Sequence, residues 1–243
     1  MKEDSTATYF DAEAESWSQR YGERRQFRDR LRTVLDWVAG RPAPSELLDY
    51  GCGSGDLIVN LAKAGHRVTG VDVSPAMLAA SRKALVAAGV SPANYTLEQV
   101  QADGSCAAFS RSYDGITSLG VLEYMDDPTA ALKTFARILR PGGFLIVSIP
   151  NQLSLLRRVE RLVFQHPDPF RRLDLFRNLT GDDCYLHFQR HQFRLSEVDA
   201  LMAALGLKLG RKLYHAGPPA VLAPLEKLEA VGMTLIVEFV KPA

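Results

Sequence analysis

The chain has few cysteines, almost no net charge and no long apolar run, and each shortage excludes a class of protein. Cys52, Cys106 and Cys184 are odd in number and far apart, so neither a disulfide framework nor a cysteine-based metal site is expected. A formal net charge of +1 over 243 residues gives no global field that would attract nucleic acid. No segment has the ~20 apolar residues of a membrane-spanning helix, and no apolar run of a signal peptide follows the first residues. A reduced, cytoplasmic setting is the simplest expectation.

Strand-like and helix-like segments alternate through the middle of the chain. Strands are predicted at 46–50, 67–71, 95–101, 113–119 and 143–149, and helices at 56–64, 75–88 and 128–139. Ser74 and Asp127 each precede a proline, as an N-cap precedes the first helical position. This alternation predicts an α/β, doubly wound fold whose mostly parallel sheet carries helices on both faces. With 47% hydrophobic residues, the chain can bury a sizeable core, and we expect residues 1–243 to form a single domain.

Both flanks depart from this alternation. The stretch 151–194 carries many arginines and no strand pattern. Ser196 and Asp199 resemble a capping box that opens a late helix. The other predicted elements are helices over 11–21 and 26–38, the late helix to 205, and strands over 207–214 and 233–240.

The most informative stretch begins at Leu47, where a strand pattern ends in alternate glycines, Gly51, Gly53 and Gly55, before a helix pattern. Glycine is needed where φ is positive or the backbone lies close to a ligand, and a strand, a glycine turn and a helix together make a nucleotide-type site. The G-x-G-x-G spacing differs from the G-x-G-x-x-G of dinucleotide enzymes. Asp72 follows the next strand, where its carboxylate can accept hydrogen bonds from both hydroxyls of a ribose. The pattern therefore predicts a nucleoside ligand.

Four ordered motifs resemble those of class I S-adenosylmethionine-dependent methyltransferases. They are the segment from Asp49 to Gly55, Asp72, Asp103, and the segment from Leu139 to Gly143. The resemblance covers roughly residues 46–150. It implies a Rossmann-like sheet of seven strands with the last antiparallel, and S-adenosylmethionine as the cofactor. It also implies that residues 1–40 form an N-terminal helical lid and that residues 151–194 form an insertion that covers the substrate.

The same resemblance places the cofactor outside the carboxyl ends of the strands. Asp49 would hold the glycine turn or meet the cofactor's amino group through water, and Asp103 would accept from the adenine amino group. Trp17 and Tyr21 are four residues apart, so they would share a helix face that either attracts the sulfonium or packs against the sheet edge. The predicted cofactor contacts are Trp17, Tyr21, Asp49, Gly51, Cys52, Gly53, Gly55, Asp72, Val73, Met77, Ala102, Asp103, Gly104, Leu119 and Val121.

Three residues are candidates for catalysis. His187 and His191 would share one face if their stretch were helical, and histidine can act as a general base near neutral pH. In the family that the chain resembles, the element that begins at His191 usually has a structural role. Tyr124 stands where many relatives carry a histidine after glutamate, so this position offers a phenol. No third ligand accompanies the two histidines at useful spacing, and no metal site is predicted.

The basic stretch 151–194 also has an apolar face, which Leu153 to Phe164 supply. This combination fits an anionic substrate, peripheral contact with a membrane to reach a lipid-like substrate, or a solvated surface. The partner expected from the whole chain is a small molecule rather than nucleic acid.

The resulting hypothesis is biosynthetic methylation of a small molecule, with oxygen favoured over nitrogen or carbon as the acceptor. Within the family the chain looks most similar to quinone, polyketide or other secondary-metabolite enzymes. A non-catalytic protein that binds S-adenosylmethionine and serves as a partner or regulator is the alternative. Methylation of RNA or protein is a third possibility, against which the neutral charge balance and the lack of an Asn-Pro-Pro-Tyr-like motif after the fourth strand both argue.

Overall fold

A computed structural model of the protein describes residues 6–101, 104–170, 179, 184–215, 225 and 227–243. The helices are α1 (Thr6–Trp17), α2 (Gln19–Glu23), α3 (Arg25–Val38), α4 (Asp56–Lys63), α5 (Pro75–Ala87), α6 (Pro128–Ile138), α7 (Leu155–Gln165) and α8 (Leu195–Ala204). The strands are β1 (Glu46–Tyr50), β2 (Arg67–Asp72), β3 (Tyr95–Gln99), β4 (Tyr113–Leu119), β5 (Leu139–Pro150), β6 (Lys208–His215) and β7 (Thr234–Val240).

The strands form one mixed sheet in the order β3-β2-β1-β4-β5-β7-β6. β1 pairs in parallel with β2 and β4, β2 pairs in parallel with β3, and β4 with β5. β7 runs antiparallel to both of its neighbours, β5 and β6. The predicted seven-stranded, Rossmann-like sheet with an antiparallel last strand is confirmed. The strand order reverses between β1 and β4, and ligands of such sheets bind outside the carboxyl ends of the strands at that point.

Two apolar layers cover the two faces of the sheet, because successive residues of a strand point to opposite faces. Leu47 of β1 packs with residues of α3, α4 and α5, whereas its neighbour Leu48 packs with residues of α6 and α8. Both leucines are buried. With helices on both faces, the edge formed by the carboxyl ends of the strands remains the place where loops can build a site.

The sequence predicted some helix starts correctly and one incorrectly. The side chains of Ser74 and Asp127 each accept a hydrogen bond from a backbone N–H of the following first turn, at 3.0 and 2.9 Å. The capping box at Ser196 is wrong, because α8 begins one residue earlier and Ser196 already lies inside its first turn. Arg194 is the N-cap, and its side chain makes no capping hydrogen bond.

The N-terminal segment contains three helices rather than the predicted two. The first helix ends at Trp17, and α2 is only five residues long. Arg24 has extended backbone angles, φ −99° and ψ 117°, which separate α2 from α3.

Within 151–194, the structure describes α7, a short 3-10 turn over Tyr185–His187 and the connection to α8. A single parallel bridge joins Asn151 to Phe193, so the two ends of this stretch meet beside the carboxyl end of β5. Among the residues that the structure describes, none of the helices combines the length and the apolar character that crossing a membrane requires.

Candidate functional site

The glycine turn between β1 and α4 depends on glycine for two reasons. Gly51 and Gly55 have φ angles of +76° and +86°, which side chains rarely tolerate. A Cβ atom would also lie 2.2 Å from Val121 Cγ2 at the first position and 2.4 Å from Ser81 Oγ at the second. The N–H of Gly51 donates to the carbonyl of Val71 at 2.8 Å, which ties the turn to the end of β2. The turn therefore packs closely against Val121, Ser81 and the end of β2, and the backbone of Gly51 and Gly53 lines the space beyond the strand ends.

Asp72 ends β2, and two backbone groups fix its carboxylate. Oδ2 accepts from the N–H of Gly53 at 2.9 Å, and Oδ1 accepts from the N–H of Ser74 at 3.0 Å. Burial raises the pKa of Asp72, and these backbone hydrogen bonds oppose the shift. Each carboxylate oxygen retains a lone pair, so this oriented group can still accept hydrogen bonds from ligand hydroxyls.

Asp49 lies behind the turn. Its Oδ1 accepts a hydrogen bond from Thr117 Oγ1 of the neighbouring strand β4 at 2.7 Å. Burial raises the pKa of Asp49 to about 7; the hydrogen bond from Thr117 opposes this shift, and the nearby charge of Asp72 adds to it. Asp49 thus links β1 to β4 beneath the glycine turn.

A cavity of about 840 Å³ opens at the carboxyl ends of β1, β2 and β4. This lies within the range of about 300–1,000 Å³ that small-molecule sites occupy. The predicted residues that line it are Trp17, Tyr21, Gly51, Cys52, Gly53, Asp72, Val73, Met77, Gly104, Leu119, Val121 and Tyr124. Asp49 and Gly55 do not occur in the described part of its lining. Ala102 and Asp103 lie outside the described residues.

Aromatic side chains from the N-terminal helices form one wall of the cavity. Phe10 and Trp17 of α1 meet edge to face with ring centroids 5.4 Å apart. Phe27 of α3 contacts Trp17 at 6.0 Å and Tyr21 at 5.3 Å. Trp17 of α1 and Tyr21 of α2 therefore reach the same cavity, and Ser18 between them keeps right-handed helical angles, φ −63° and ψ −28°.

Tyr124 is the catalytic candidate that the structure brings to the cavity. Its ring lies edge to face with Phe10, at 5.4 Å between centroids. Burial raises the pKa of Tyr124 well above its ordinary value, and the neighbouring Glu123 raises it further. The phenol therefore stays protonated near neutral pH and can donate a hydrogen bond, but it is unsuited to remove a proton.

The two histidines occupy different environments. His191 donates from Nε2 to the carbonyl of Met125 at 3.0 Å, and its backbone N–H donates to the carbonyl of Glu123 at 3.2 Å. His187 is exposed, with its ring 4.7 Å from that of Phe164. Neither histidine lines the described part of the cavity, and their stretch is a short 3-10 turn rather than a helix with a shared face. These contacts suit structural roles better than a general base.

Glu123, the residue before Tyr124, is buried at 7% exposure. Burial raises the pKa of its carboxyl to about 7, although Arg30 and Arg157 oppose the shift. Within the described part of the chain, Glu123 Oε2 has no hydrogen-bond partner. Its backbone carbonyl accepts from the N–H of Arg190 at 2.8 Å, so this loop fastens the stretch after residue 184 to the end of β4.

No group of three or more His, Cys, Asp or Glu side chains in the described ranges is arranged to hold a metal ion. The site that the strand ends build is thus an organic-ligand cavity with a fixed carboxylate, an exposed glycine backbone and aromatic walls. A sequence profile of the methyltransferase domain matches residues 17–209, which contain most of that cavity.

The chain belongs to the methyltransferase domain family. The family predicted from the ordered motifs is confirmed. Among solved structures, the magnesium protoporphyrin IX methyltransferase of Synechocystis PCC 6803, crystallised with bound SAH, has a similar fold with a TM-score of 0.68. It is 18% identical in sequence, and the similarity covers 97% of each chain.

Two curated relatives of this methyltransferase domain are named ubiquinone biosynthesis O-methyltransferase. The protein of Xanthomonas axonopodis pv. citri (strain 306) is 34% identical over 120 residues, which cover 49% of either chain. The protein of Alkalilimnicola ehrlichii (strain ATCC BAA-1101 / DSM 17681 / MLHE-1) is 33% identical over 152 residues, which cover 61% of this chain and 60% of the relative. The chain thus spans between about half and three fifths of the length of these relatives.

Several residues of the methyltransferase site escaped prediction, among them one buried cation. Arg30 of α3 lines the cavity, its guanidinium stacks 4.9 Å from the ring of Phe27, and its Nε is buried without a hydrogen-bond partner in the described chain. The available signal was its position four residues before Val34, which places a cation beside the buried face of the helix. Arginines elsewhere in this segment made that signal hard to single out.

Proposed function

We propose that the protein transfers a methyl group from S-adenosylmethionine to an oxygen atom of a small molecule. The observation that carries the proposal is the cavity at the reversal point of the sheet, which joins the glycine turn, Asp72, Arg30 and an aromatic wall. Relatives named as O-methyltransferases of ubiquinone biosynthesis support oxygen as the acceptor atom over nitrogen or carbon.

The cavity residues fit the chemistry of each part of this cofactor. Asp72 can accept hydrogen bonds from the ribose hydroxyls. Arg30, whose buried Nε has no hydrogen-bond partner among the described residues, would pair with the carboxylate of the methionine part. Trp17 and Tyr21 offer rings that attract a sulfonium cation. When bound, the cofactor supplies an activated methyl group for an in-line displacement.

The cavity also suits an acceptor with an apolar body. Val121, Met125 and Phe135 contribute apolar surface to its lining. Burial keeps the phenol of Tyr124 protonated, so Tyr124 would donate a hydrogen bond that orients the acceptor oxygen. Alignment of the two reactants and exclusion of water are the main requirements of methyl transfer from a sulfonium.

The domain organisation that we propose follows from these contacts. Residues 1–243 would act as one methyltransferase domain, with residues 1–40 as the lid and residues 151–194 as the cover of the acceptor. Support for the lid comes from Phe10 and Trp17, which line the cavity from α1. Support for the cover comes from Arg190, which lines the cavity and pairs with Asp126.

A lipid-like acceptor, reached at an anionic membrane surface, would explain an exposed apolar stripe on α7. Leu155, Val159 and Leu162 recur at helical spacing and are 56%, 50% and 52% exposed. Leu155 donates its N–H to the carbonyl of Ala230 at 2.8 Å, so the turn that carries the exposed Leu228 packs at the start of the same helix. Exposed apolar side chains are therefore present both on α7 and on the turn that meets its start.

The charges around this stripe favour an anionic lipid surface as its partner. Arg158 is exposed on α7. The acidic Glu160 is turned inward, where it accepts from Arg157 at 2.7 Å and from the hydroxyl of Tyr185 at 2.5 Å. An apolar stripe beside an exposed arginine fits a helix that lies in the membrane interface.

The cofactor and the reaction can be tested separately. Calorimetric titration with S-adenosylhomocysteine, and with NAD⁺ as a pyrophosphate control, should show binding of the first only. Incubation with methyl-labelled S-adenosylmethionine and a panel of phenols, quinols and amines should then label a phenolic or quinol product. Tight cofactor binding without transfer to any acceptor would favour the alternative, a non-catalytic partner protein. A failure to bind S-adenosylhomocysteine would refute the proposal.

A further inference from the structure

Asp11, in the middle of α1, caps a helix that is distant in sequence. Its Oδ1 accepts from the hydroxyl of Ser74 at 2.5 Å and from the N–H of Ala76 at 3.3 Å. Pro75 has no N–H, so Ala76 provides the first donor at the N-terminus of α5, where a negative charge is favourable. Asp11 therefore joins the N-terminal segment to the first turn of α5.

Ser74 links this contact to the carboxylate at the end of β2. Its N–H donates to Asp72 Oδ1 at 3.0 Å, its hydroxyl donates to Asp11, and its Oγ also accepts from the N–H of Met77 at 3.0 Å. Ser74 is fully buried. A single buried serine thus holds Asp11 and Asp72 in one hydrogen-bonded chain.

Asp11 is not among the described residues that line the cavity, whereas Thr6, Ala7, Phe10 and Trp17 of the same helix are. The hydrogen bonds of Asp11 therefore fasten the helix that carries this wall. The same helix also contacts the covering segment, because the ring of Tyr9 stacks on that of Phe188 with 4.4 Å between centroids. Asp11 attaches α1 by hydrogen bonds on the other side, next to Asp72, the carboxylate proposed to bind the ribose.

We propose that Asp11 is a positioning residue that seats α1 against Ser74 and thereby couples closure of the aromatic wall to the orientation of Asp72. The inference rests on the proposed function, because Asp72 and the wall are assigned there to the same cofactor. Without Asp11, α1 would occupy the seated position for a smaller fraction of the time. The apparent dissociation constant rises in proportion as that competent fraction falls.

Hydrogen exchange measured by mass spectrometry on the unliganded full chain tests the seating directly. Asp11→Ala should speed exchange in the peptides of α1, and Asp11→Asn, which keeps an acceptor oxygen, should restore most of the protection. Glu15→Ala removes the same charge from an exposed position of α1 and should leave exchange unchanged. Equal α1 protection in Asp11→Ala and the original protein would overturn the proposal, as would an equal loss in Glu15→Ala.

Titration with S-adenosylhomocysteine tests the coupling. If the fraction of molecules with α1 seated falls to a tenth, the dissociation constant of S-adenosylhomocysteine from Asp11→Ala should rise about tenfold. The constant for Asp11→Asn should stay much closer to that of the original protein. Ser74→Ala breaks the same chain, so the double variant should lose little more than either single variant; full additivity would refute the link. Ser74→Ala also carries the test if Asp11→Ala does not fold. If the original protein binds no S-adenosylhomocysteine, the proposed function fails, while the seating is still judged by hydrogen exchange.

Discussion

Asp72 combines a fixed orientation with unused acceptor capacity, which is what recognition of a ribose requires. In Asp72→Asn, an amide NH₂ would face the N–H of either Gly53 or Ser74, and one of the present hydrogen bonds would become a contact between two donors. We expect cofactor affinity to fall by about 1.5–3 kcal/mol, the scale of hydrogen bonds to charged groups. Calorimetry with S-adenosylhomocysteine measures the loss. Glu197→Gln, exposed on α8, should bind as before.

Arg30 can be tested for recognition of one end of the cofactor. Arg30→Met should weaken S-adenosylhomocysteine by about 1.5–3 kcal/mol, because the carboxylate of the amino-acid part would lose its cationic partner. Affinity for 5′-methylthioadenosine, which lacks that carboxylate, should hardly change. The matched control is Arg32→Met, an exposed position two residues along the same helix. An equal loss for both ligands would indicate that Arg30 supports the fold of the cavity and does not bind the carboxylate.

Tyr124 is expected to orient the acceptor without accepting its proton. Tyr124→Phe removes the hydroxyl and keeps the ring contact with Phe10. We expect kcat/KM for the acceptor to fall about tenfold, with cofactor affinity retained. A tenfold fall corresponds to ~1.4 kcal/mol, which is within the usual contribution of one hydrogen bond. Steady-state kinetics with the identified acceptor checks this. A fall of more than about a hundredfold would instead point to proton transfer by Tyr124.

Most of the local capping signals were read correctly from the sequence, except the one at Ser196, and long-range contacts were not. Ser74 and Asp127 were recognisable as caps because a cap, its proline and its helix are contiguous. Asp11 could not be linked to Ser74, since the two are separated by 63 residues and meet only when α1 lies on α5. His187 looked catalytic as a residue type, yet its exposed position against Phe164 depends on how the covering segment folds.

At the scale of elements, α7 offers a test of membrane contact. Val159→Asp places a charge in the centre of the exposed stripe, and it should lower binding to vesicles that contain anionic phosphatidylglycerol by more than about tenfold. Val86→Asp is the matched control, because Val86 is 66% exposed on α5, outside the stripe. Vesicle co-sedimentation at increasing salt measures both contributions. Equal binding of the two variants would argue for a stripe that simply faces water.

The elements that were predicted well are those that periodicity alone defines. β1 and β4 were predicted with the bounds that the structure shows. In the N-terminal segment, the gap predicted between residues 21 and 26 contains the break at Arg24, two residues after Gly22. The interruption at Ser18 was not predicted, because Ser18 keeps helical backbone angles and is neither a glycine nor a proline.

At the scale of the whole molecule, the order of the motifs identified both the sheet and the end of it that carries the site. Every predicted cofactor motif followed a strand, and parallel strands bring such positions to one edge. Buried carboxyls near that edge also make stability depend on pH. Burial raises the pKa of Asp49 and of Glu123 to about 7, from ordinary values of 3.8 and 4.5. At pH values between the ordinary and the raised pKa, these carboxyls keep their protons in the folded state but have lost them in the unfolded chain.

The free energy of unfolding should therefore decrease as pH rises from about 5 towards 7, with a limiting slope of about 1.4 kcal/mol per pH unit for each group. Glu238 does not counteract this, because Arg211 and Arg41 lower the pKa of its carboxyl and its contribution is lost only at lower pH. Burial lowers the pKa of His66, which opposes part of the fall over this pH range. Calorimetric Tm values between pH 5 and 8 should fall accordingly. Glu123→Gln should flatten that fall, whereas Glu197→Gln, on the exposed surface of α8, should keep the full slope. An unchanged slope in Glu123→Gln would mean that Glu123 is already ionised at pH 5 and that one of its arginine neighbours compensates its charge.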